Sequence, residues 1–164
     1  MNVSLRSAAL LICTAASALV ASVAAATPQA VERFDARTWT GLQTTVGQPT
    51  AVVFTTTDCA YCPAVMDRLA RDIRQGRLKA RLVAVVMDAA PGESDRALML
   101  DAHYRLADRL FAFDGDERAL RYSVNPGWRG VTPYVAFLRP HSPPMWVTGS
   151  PSDAEIASWA AASR

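Results

Sequence analysis

Apolar residues fall in two rhythms along this 164-residue chain, and the rhythm changes at turn-forming residues. "PTAVVFTTT" (Pro49–Thr57) and "ARLVAVVMDA" (Ala80–Ala89) are apolar and β-branched almost without a break, as strands covered on both faces are. Between them Val65, Met66, Leu69, Ala70 and Ile73 recur at steps of three and four. That spacing predicts one buried face of a helix, ended by Gly76. A strand–helix–strand unit of this kind crosses over right-handed and makes its strands parallel. Upstream, Val31–Gly47 predicts a short strand and a helix. Downstream, "PGESDRALMLDAHYRLADRL" begins with turn residues and continues with mixed helical spacing. Arg109–Val124 predicts a short strand, an Asp-Gly turn and a helix, and Asn125–Gly130 a loop. "VTPYVAFL" and "PMWVTGS" read as two strands joined by the proline-rich "RPHSPP", an edge hairpin because proline cannot donate to a ladder. Ser152 with Glu155 three residues on is a capping box for a last helix. Met145, Trp146 and Trp159 are read as core. The order predicts an α/β fold: a mixed sheet with helices on both faces.

The first 26 residues stand apart from this pattern. Arg6 precedes an apolar run from Ala8 to Val20, and Ala24-Ala25-Ala26 places small residues before Thr27-Pro28. This is the layout of a secretory signal, expected to be cleaved near Ala26. A retained anchor is the alternative, since no charge occurs from Ser7 to Val31; the segment is weakly apolar for a permanent span. Cys13 lies in the discarded part. Residues 27–164 then form one domain, large enough to bury roughly two-thirds of its unfolded surface.

Charge narrows the possible partners. Without Arg6 the domain carries 16 basic and 15 acidic side chains, a net +1, which argues against a nucleic-acid partner. The basic stretch Arg71–Arg81 reads as a solvated helix end whose cations suit the C-terminal dipole.

Two cysteines remain, Cys59 and Cys62, between the first buried strand and the helix that follows it. Backbone N–H groups at a helix start stabilise a thiolate, and thiols so placed, or in Cys-X-X-Cys, are unusually acidic. Cys62 is about one helical turn further on, within reach of Cys59. Cys59 is therefore the expected attacking thiol and Cys62 the resolving one. As a staple the pair would close a four-residue loop, worth only about 2 kcal/mol by chain entropy. A structural zinc needs four ligands, and His103 and His141, 41 and 79 residues beyond Cys62, show no ligand spacing. No metal and no cofactor are expected. Two thiolates could still hold Cu(I).

Strand, "TTTDCAYC", helix, strand, then Thr132-Pro133 about 70 residues after Cys62 and Gly149 in the following strand together resemble the thioredoxin superfamily over Phe34–Arg164. The resemblance implies a cis Thr132-Pro133 bond packed against the cysteine pair, with Thr132 and Pro133 offering a backbone edge to an extended partner segment. The extra piece before Thr132, with "LFAFDGDERALRYSV", is similar to the insert of the TlpA-type, redoxin-like exported members. Those proteins reduce particular disulfides outside the cytoplasm, often in cytochrome c or oxidase maturation, and are recharged by a membrane electron donor. The expectation is thus a monomeric periplasmic thiol-disulfide oxidoreductase that meets other exported proteins through a transient mixed disulfide.

Several residues depart from the family pattern. Ala60-Tyr61 replaces Gly-Pro between the cysteines, which looks more like Dsb-type oxidases and isomerases; Tyr61 should be exposed and touch partners. Val53 stands where thioredoxin keeps a buried acid. Asp58 opposes a thiolate next to it and is expected to cap the helix instead. Pro63 lacks an N–H and should make the first helical turn irregular. It is also shared with Sco-type copper chaperones, so Cu(I) delivery is a second expectation, although those proteins space their cysteines by three residues. Trp128 and Arg129 are read first as loop packing and a solvated cation, with a place on the partner groove as the alternative.

Overall fold

The computed structural model describes residues 27–44 and 47–161. The expected signal segment and Cys13 lie outside the described residues. The elements are β1 (Val31–Phe34), α1 (Ala36–Thr44), β2 (Thr50–Thr55), α2 (Cys62–Arg74), β3 (Arg81–Val86), α3 (Asp95–Leu100), a 3-10 turn (Tyr104–Leu106), β4 (Arg109–Phe113), α4 (Glu117–Val124), β5 (Tyr134–Arg139), β6 (Ser142–Thr148) and α5 (Asp153–Ala161). The six strands form one sheet in the order β1-β4-β3-β2-β5-β6. The first four run parallel, β5 runs antiparallel to β2, and β6 runs antiparallel to β5. β4 lies between β1 and β3, so the insert before Thr132 supplies an internal strand.

Alternation along the strands divides the core in two. Ala51, Val53, Leu82, Ala84, Val86, Leu110, Val135 and Phe137 point to one face, covered by Val65, Met66 and Leu69 of α2 and by Ile156 and Trp159 of α5. Val52, Phe54, Val83, Val85, Phe111 and Phe113 point to the other, covered by Trp39 of α1 and by Leu120 and Val124 of α4. β2 is buried along its whole length because it has strands on both sides and helices on both faces.

Side-chain caps fix the helices on both faces. Asp35 Oδ1 accepts from Thr38 N–H at 2.7 Å, and Asp116 Oδ1 accepts from Ala119 N–H at 2.8 Å. The box opening α5 closes as expected: Ser152 N–H donates to Glu155 Oε2 at 2.7 Å and Glu155 N–H to Ser152 Oγ at 3.2 Å.

Three local expectations fail. The hairpin loop is shorter than "RPHSPP", because Ser142, Pro143 and Pro144 already belong to β6. An edge strand tolerates proline there, and the turn is made at His141, which has φ 56°. On that edge Met145 and Trp146 are half-buried rather than core, while Trp159 is fully buried. The irregular first turn expected from Pro63 is not seen: α2 is α-helical from Cys62, with Val65 N–H bonded to the Tyr61 carbonyl and proline in the first turn, where a missing N–H leaves no bond unmade.

Candidate active site

β2 delivers the chain to a tight turn that holds the two cysteines. The carbonyl of Thr56 is its hub. It accepts from Cys59 N–H at 3.2 Å, from Thr55 Oγ1 at 3.1 Å and from the Tyr104 hydroxyl at 3.4 Å. Asp88, just past β3, fixes the next residue: Thr57 donates its N–H to both carboxylate oxygens, at 2.9 and 3.0 Å, and its hydroxyl at 2.6 Å. Neither Asp88 nor Tyr104 was singled out from the sequence. The signal for Asp88 is that it ends a buried strand parallel to β2, which is visible only once the pairing is known. Tyr104 belongs to a segment without clear periodicity.

Cys59 and Cys62 are joined by a disulfide, with their Cα atoms 5.5 Å apart. The two sulfurs are unequally placed. Cys62 has no exposed surface, whereas Cys59 is only half-buried. Tyr61 between them is 72% exposed, as its position required. It is also the N-cap residue of α2, and no side chain caps that helix. Asp58 therefore does not take the capping role expected of it; it is exposed and adjoins Cys59 in the chain.

The second half of the site comes from β5. Its register pairs Tyr134 with Phe54, which puts Pro133 level with Thr55 at the end of the sheet where the cysteine turn begins. The Thr132-Pro133 peptide is cis. Pro133 is buried, and its carbonyl accepts from Gly149 N–H at 2.8 Å. Thr132 is half-buried, and among the described residues no hydrogen bond uses its backbone. Trp128 packs the preceding loop: its ring stacks on Tyr134 at 4.5 Å, and its Nε1 donates to the Val131 carbonyl at 3.0 Å. Asn125 Nδ2 donates to the Tyr134 hydroxyl at 2.7 Å, and burial pushes that phenol up.

The electrostatics near the cysteines are acidic on the Tyr104 side. Burial, reinforced by the carboxylates of Asp88, Asp101 and Asp58, pushes the Tyr104 phenol up to about 12. Val53 lies in the aliphatic core, so no acid occupies that place. The histidines do not join the pair. His141 lies beyond the far end of β5, about 16 Å of strand from the cysteine end. His103 Nδ1 is 2.5 Å from Asp101 Oδ1, and its ring lies against Tyr104.

No family model matches the chain, and no curated protein matches it. Solved structures do. A thioredoxin-like protein of Neisseria meningitidis is similar at 18% identity over 68% of this chain and 71% of that one, with a TM-score of 0.50. A secreted Mycobacterium tuberculosis disulfide oxidoreductase, homologous to E. coli DsbE, is similar at 21% identity over 71% and 82%, with a TM-score of 0.48. DsbF of the same organism is similar at 16% identity over 72% and 82%, with a TM-score of 0.48. The chain has a thioredoxin fold, with a Cys-X-X-Cys pair at the start of α2. Among the described residues no helix is long and apolar enough to cross a membrane.

Proposed function

We propose that this protein is a monomeric thiol-disulfide oxidoreductase of the exported, TlpA-like kind, and that it works as a reductant. The observation that carries the reading is the asymmetry of the pair, a partly exposed Cys59 bonded to a fully buried Cys62. In the dithiol form the Cys59 thiolate attacks a sulfur of the partner's disulfide. A mixed disulfide forms and the partner's other sulfur leaves as a thiolate. Cys62, as thiolate, then attacks Cys59 Sγ and releases the partner's second thiol. Two electrons and two protons pass to the partner, and the Cys59–Cys62 disulfide is left behind. Sulfur alone carries the electrons, so no cofactor is called for.

Geometry supports a docking mode. The free backbone of Thr132 offers hydrogen bonds to an extended segment of the partner, with Pro133 and the exposed Tyr61 beside it. The direction of electron flow is supported by what surrounds Cys59. Strong oxidants owe their potential to a stabilised reduced form. Here Pro63 removes one N–H from the helix start, and the residue before Cys59 is an exposed aspartate rather than a neutral or basic side chain, so a thiolate is expected to gain less. The pattern of residues 1–26 supports export to the periplasm, where a dithiol on a membrane electron donor would return the pair to its reduced state. Partner disulfides awaiting reduction in cytochrome c or oxidase maturation fit this placement.

Equilibration with glutathione buffers tests the direction: the pair should settle near the reducing end of the range from about −270 to −120 mV, and a value near −120 mV overturns the reductant reading. Exchange itself is tested with 2-hydroxyethyl disulfide. Cys59→Ser should abolish the reaction and Cys62→Ser should accumulate a mixed disulfide at Cys59; undiminished turnover by Cys59→Ser overturns the assignment.

A further inference from the structure

The loop between α4 and β5 carries a cluster of cations that disulfide chemistry leaves unused. Arg118, Arg121 and Tyr122 share one side of α4, three and four residues apart. With Trp128 and Arg129 they line a cleft of about 410 Å³ that no carboxylate lines. Glu117 reaches only Arg121, at 3.1 Å from Nε, and without the alignment of a hydrogen bond. Among the described residues the side chains of Arg118 and Arg129 make no ion pair and no hydrogen bond. Three guanidinium groups against one carboxylate leave a positive field focused in a concave site.

The cleft is built rather than incidental. Its Trp128 wall is fixed by the stack on Tyr134 and the bond to Val131. Arg121 is mostly buried, its side chain 22% exposed, and it lies against the loop that leads to Pro133. Gly130 has φ +85°, and a Cβ there would meet Arg121 Nη1 at 2.6 Å, so only glycine lets the guanidinium lodge under this loop. Tyr122, 67% exposed, offers an aromatic edge. Arg129 precedes Thr132 by three residues, at most about 11 Å of extended chain. Across the cysteine turn the sign reverses, with Asp58 beside Cys59 and Asp88 bonded to Thr57.

We propose that this cleft is a carboxylate subsite, which takes an Asp or Glu side chain of the partner protein within about three or four residues of the cysteine engaged by Cys59. The assignment rests on the disulfide-exchange reading. Planar guanidinium groups recognise carboxylates in pairs of parallel bonds, and the acidic rim opposite repels the same residue, so the two rims set the direction in which the partner strand lies. A nucleic acid is disfavoured by a net charge of only +2 on the whole chain.

The test separates the subsite from the exchange chemistry. Fluorescent, cysteine-free ten-residue peptides carrying either two glutamates or two glutamines are titrated onto the oxidised protein at low salt. The glutamate peptide should bind about tenfold more tightly, about 1.4 kcal/mol. This ratio should fall to about one in the Arg118→Gln/Arg129→Gln variant and in 0.5 M salt, and survive in part in Arg118→Lys/Arg129→Lys. Equal binding of the two peptides, or a ratio untouched in the glutamine variant, overturns the subsite. The same sequences with a central cysteine, held as a mixed disulfide with 2-mercaptoethanol, are then reacted with the reduced protein, and the same ratio should appear in the rate. A binding preference with no reaction in any peptide overturns the exchange reading and leaves the carboxylate cleft standing.

Discussion

The two faces of the sheet are packed with different materials. The face under α2 and α5 is mainly aliphatic, with Tyr104, Phe137 and Trp159 as its aromatic members. The face under α1 and α4 is a continuous aromatic wall: Phe34, Trp39, Phe54, Phe111, Phe113, Trp128 and Tyr134, with Trp146 at its margin. The helices explain the difference. The longest helix, α2 with 13 residues, lies on the aliphatic face beside the nine-residue α5, whereas the other face has only α1 with nine and α4 with eight. Short helices present little apolar area, and large rings from the sheet itself make up the loss. Each face then delivers one half of the site. The aliphatic face seats the helix of Cys62, and the aromatic wall holds the loop ahead of Thr132 through Trp128 and Tyr134. Rigid stacking thus supports the part of the site expected to touch partners, and adaptable aliphatic packing supports the part that carries the redox pair.

The largest expected effect separates these roles. Trp128→Ala and Trp159→Ala each empty a ring-sized space in the core and should each cost about 3–5 kcal/mol in urea unfolding. Their effects on exchange should differ. Trp128→Ala also frees the Val131 carbonyl two residues before Pro133, so the rate with a peptide disulfide, per folded molecule, should drop. Trp159→Ala packs against Phe137 at the far side of the sheet and should leave that rate near wild type. Equal losses of rate would remove the distinction between the two faces.

Much of this arrangement was legible in the residue pattern because it follows from period alone. β2, β3 and α2 are long, one-signal segments, and the cysteines sit where those signals meet, so both the fold class and the redox pair could be placed from the sequence. The resemblance to thioredoxins then supplied the cis Thr132-Pro133 bond. What period does not encode is which strand ends adjoin. Asp88 and Tyr104 reach the cysteine turn only through pairing and packing, and their neighbours in sequence give no hint of it. Asp58 misled for a related reason. Aspartate before a helix commonly caps it, but here α2 starts three residues after Cys59, at Cys62, too far along for that carboxylate. The arginine cleft was legible only as separate residues: Arg129 read alone is a solvated cation, and its meaning comes from Arg118 and Arg121 across the loop.

Tyr104 is the polar exception within the aliphatic face, and it gives the next effect in size. Its hydroxyl bonds the Thr56 carbonyl, so Tyr104→Phe should cost about 1 kcal/mol. Its titration has a definite sign. The folded phenol is raised to about 12 from 10.0, so the folded state favours the neutral form. That contribution is complete below pH 10 and is lost as pH rises toward 12. Wild type should therefore lose stability over this window faster than Tyr104→Phe, and the absorbance difference between the two proteins should show Tyr104 ionising well above the ordinary tyrosine value of 10.0. A Tyr104 that ionises at the ordinary value of 10.0 would mean that the aliphatic face is open to water there.

The smallest effect compares the caps that pin one helix to each face. Asp35 opens α1 on the aromatic side, and its carboxyl lies below the usual range because the backbone N–H and hydroxyl of Thr38 both donate to it. Glu155 closes the box of α5 on the aliphatic side and is lowered by the hydroxyl and N–H of Ser152. Both pKa values are depressed on folding. Each cap is therefore complete above the ordinary carboxyl value, 3.8 for Asp35 and 4.5 for Glu155, and is lost as pH falls through the lower folded value. Both carboxylates are solvent-facing, so the loss should be small. Between pH 6 and pH 3 the melting temperature of wild type should fall further than that of Asp35→Asn or of Glu155→Gln, because neither amide has a charge to lose, and the two differences should be similar. A difference for Asp35→Asn alone would mean that α5 is held by Trp159 and Ile156 with no help from its cap, and that only the aromatic face, whose α1 buries Trp39 alone, depends on the charge at its helix start.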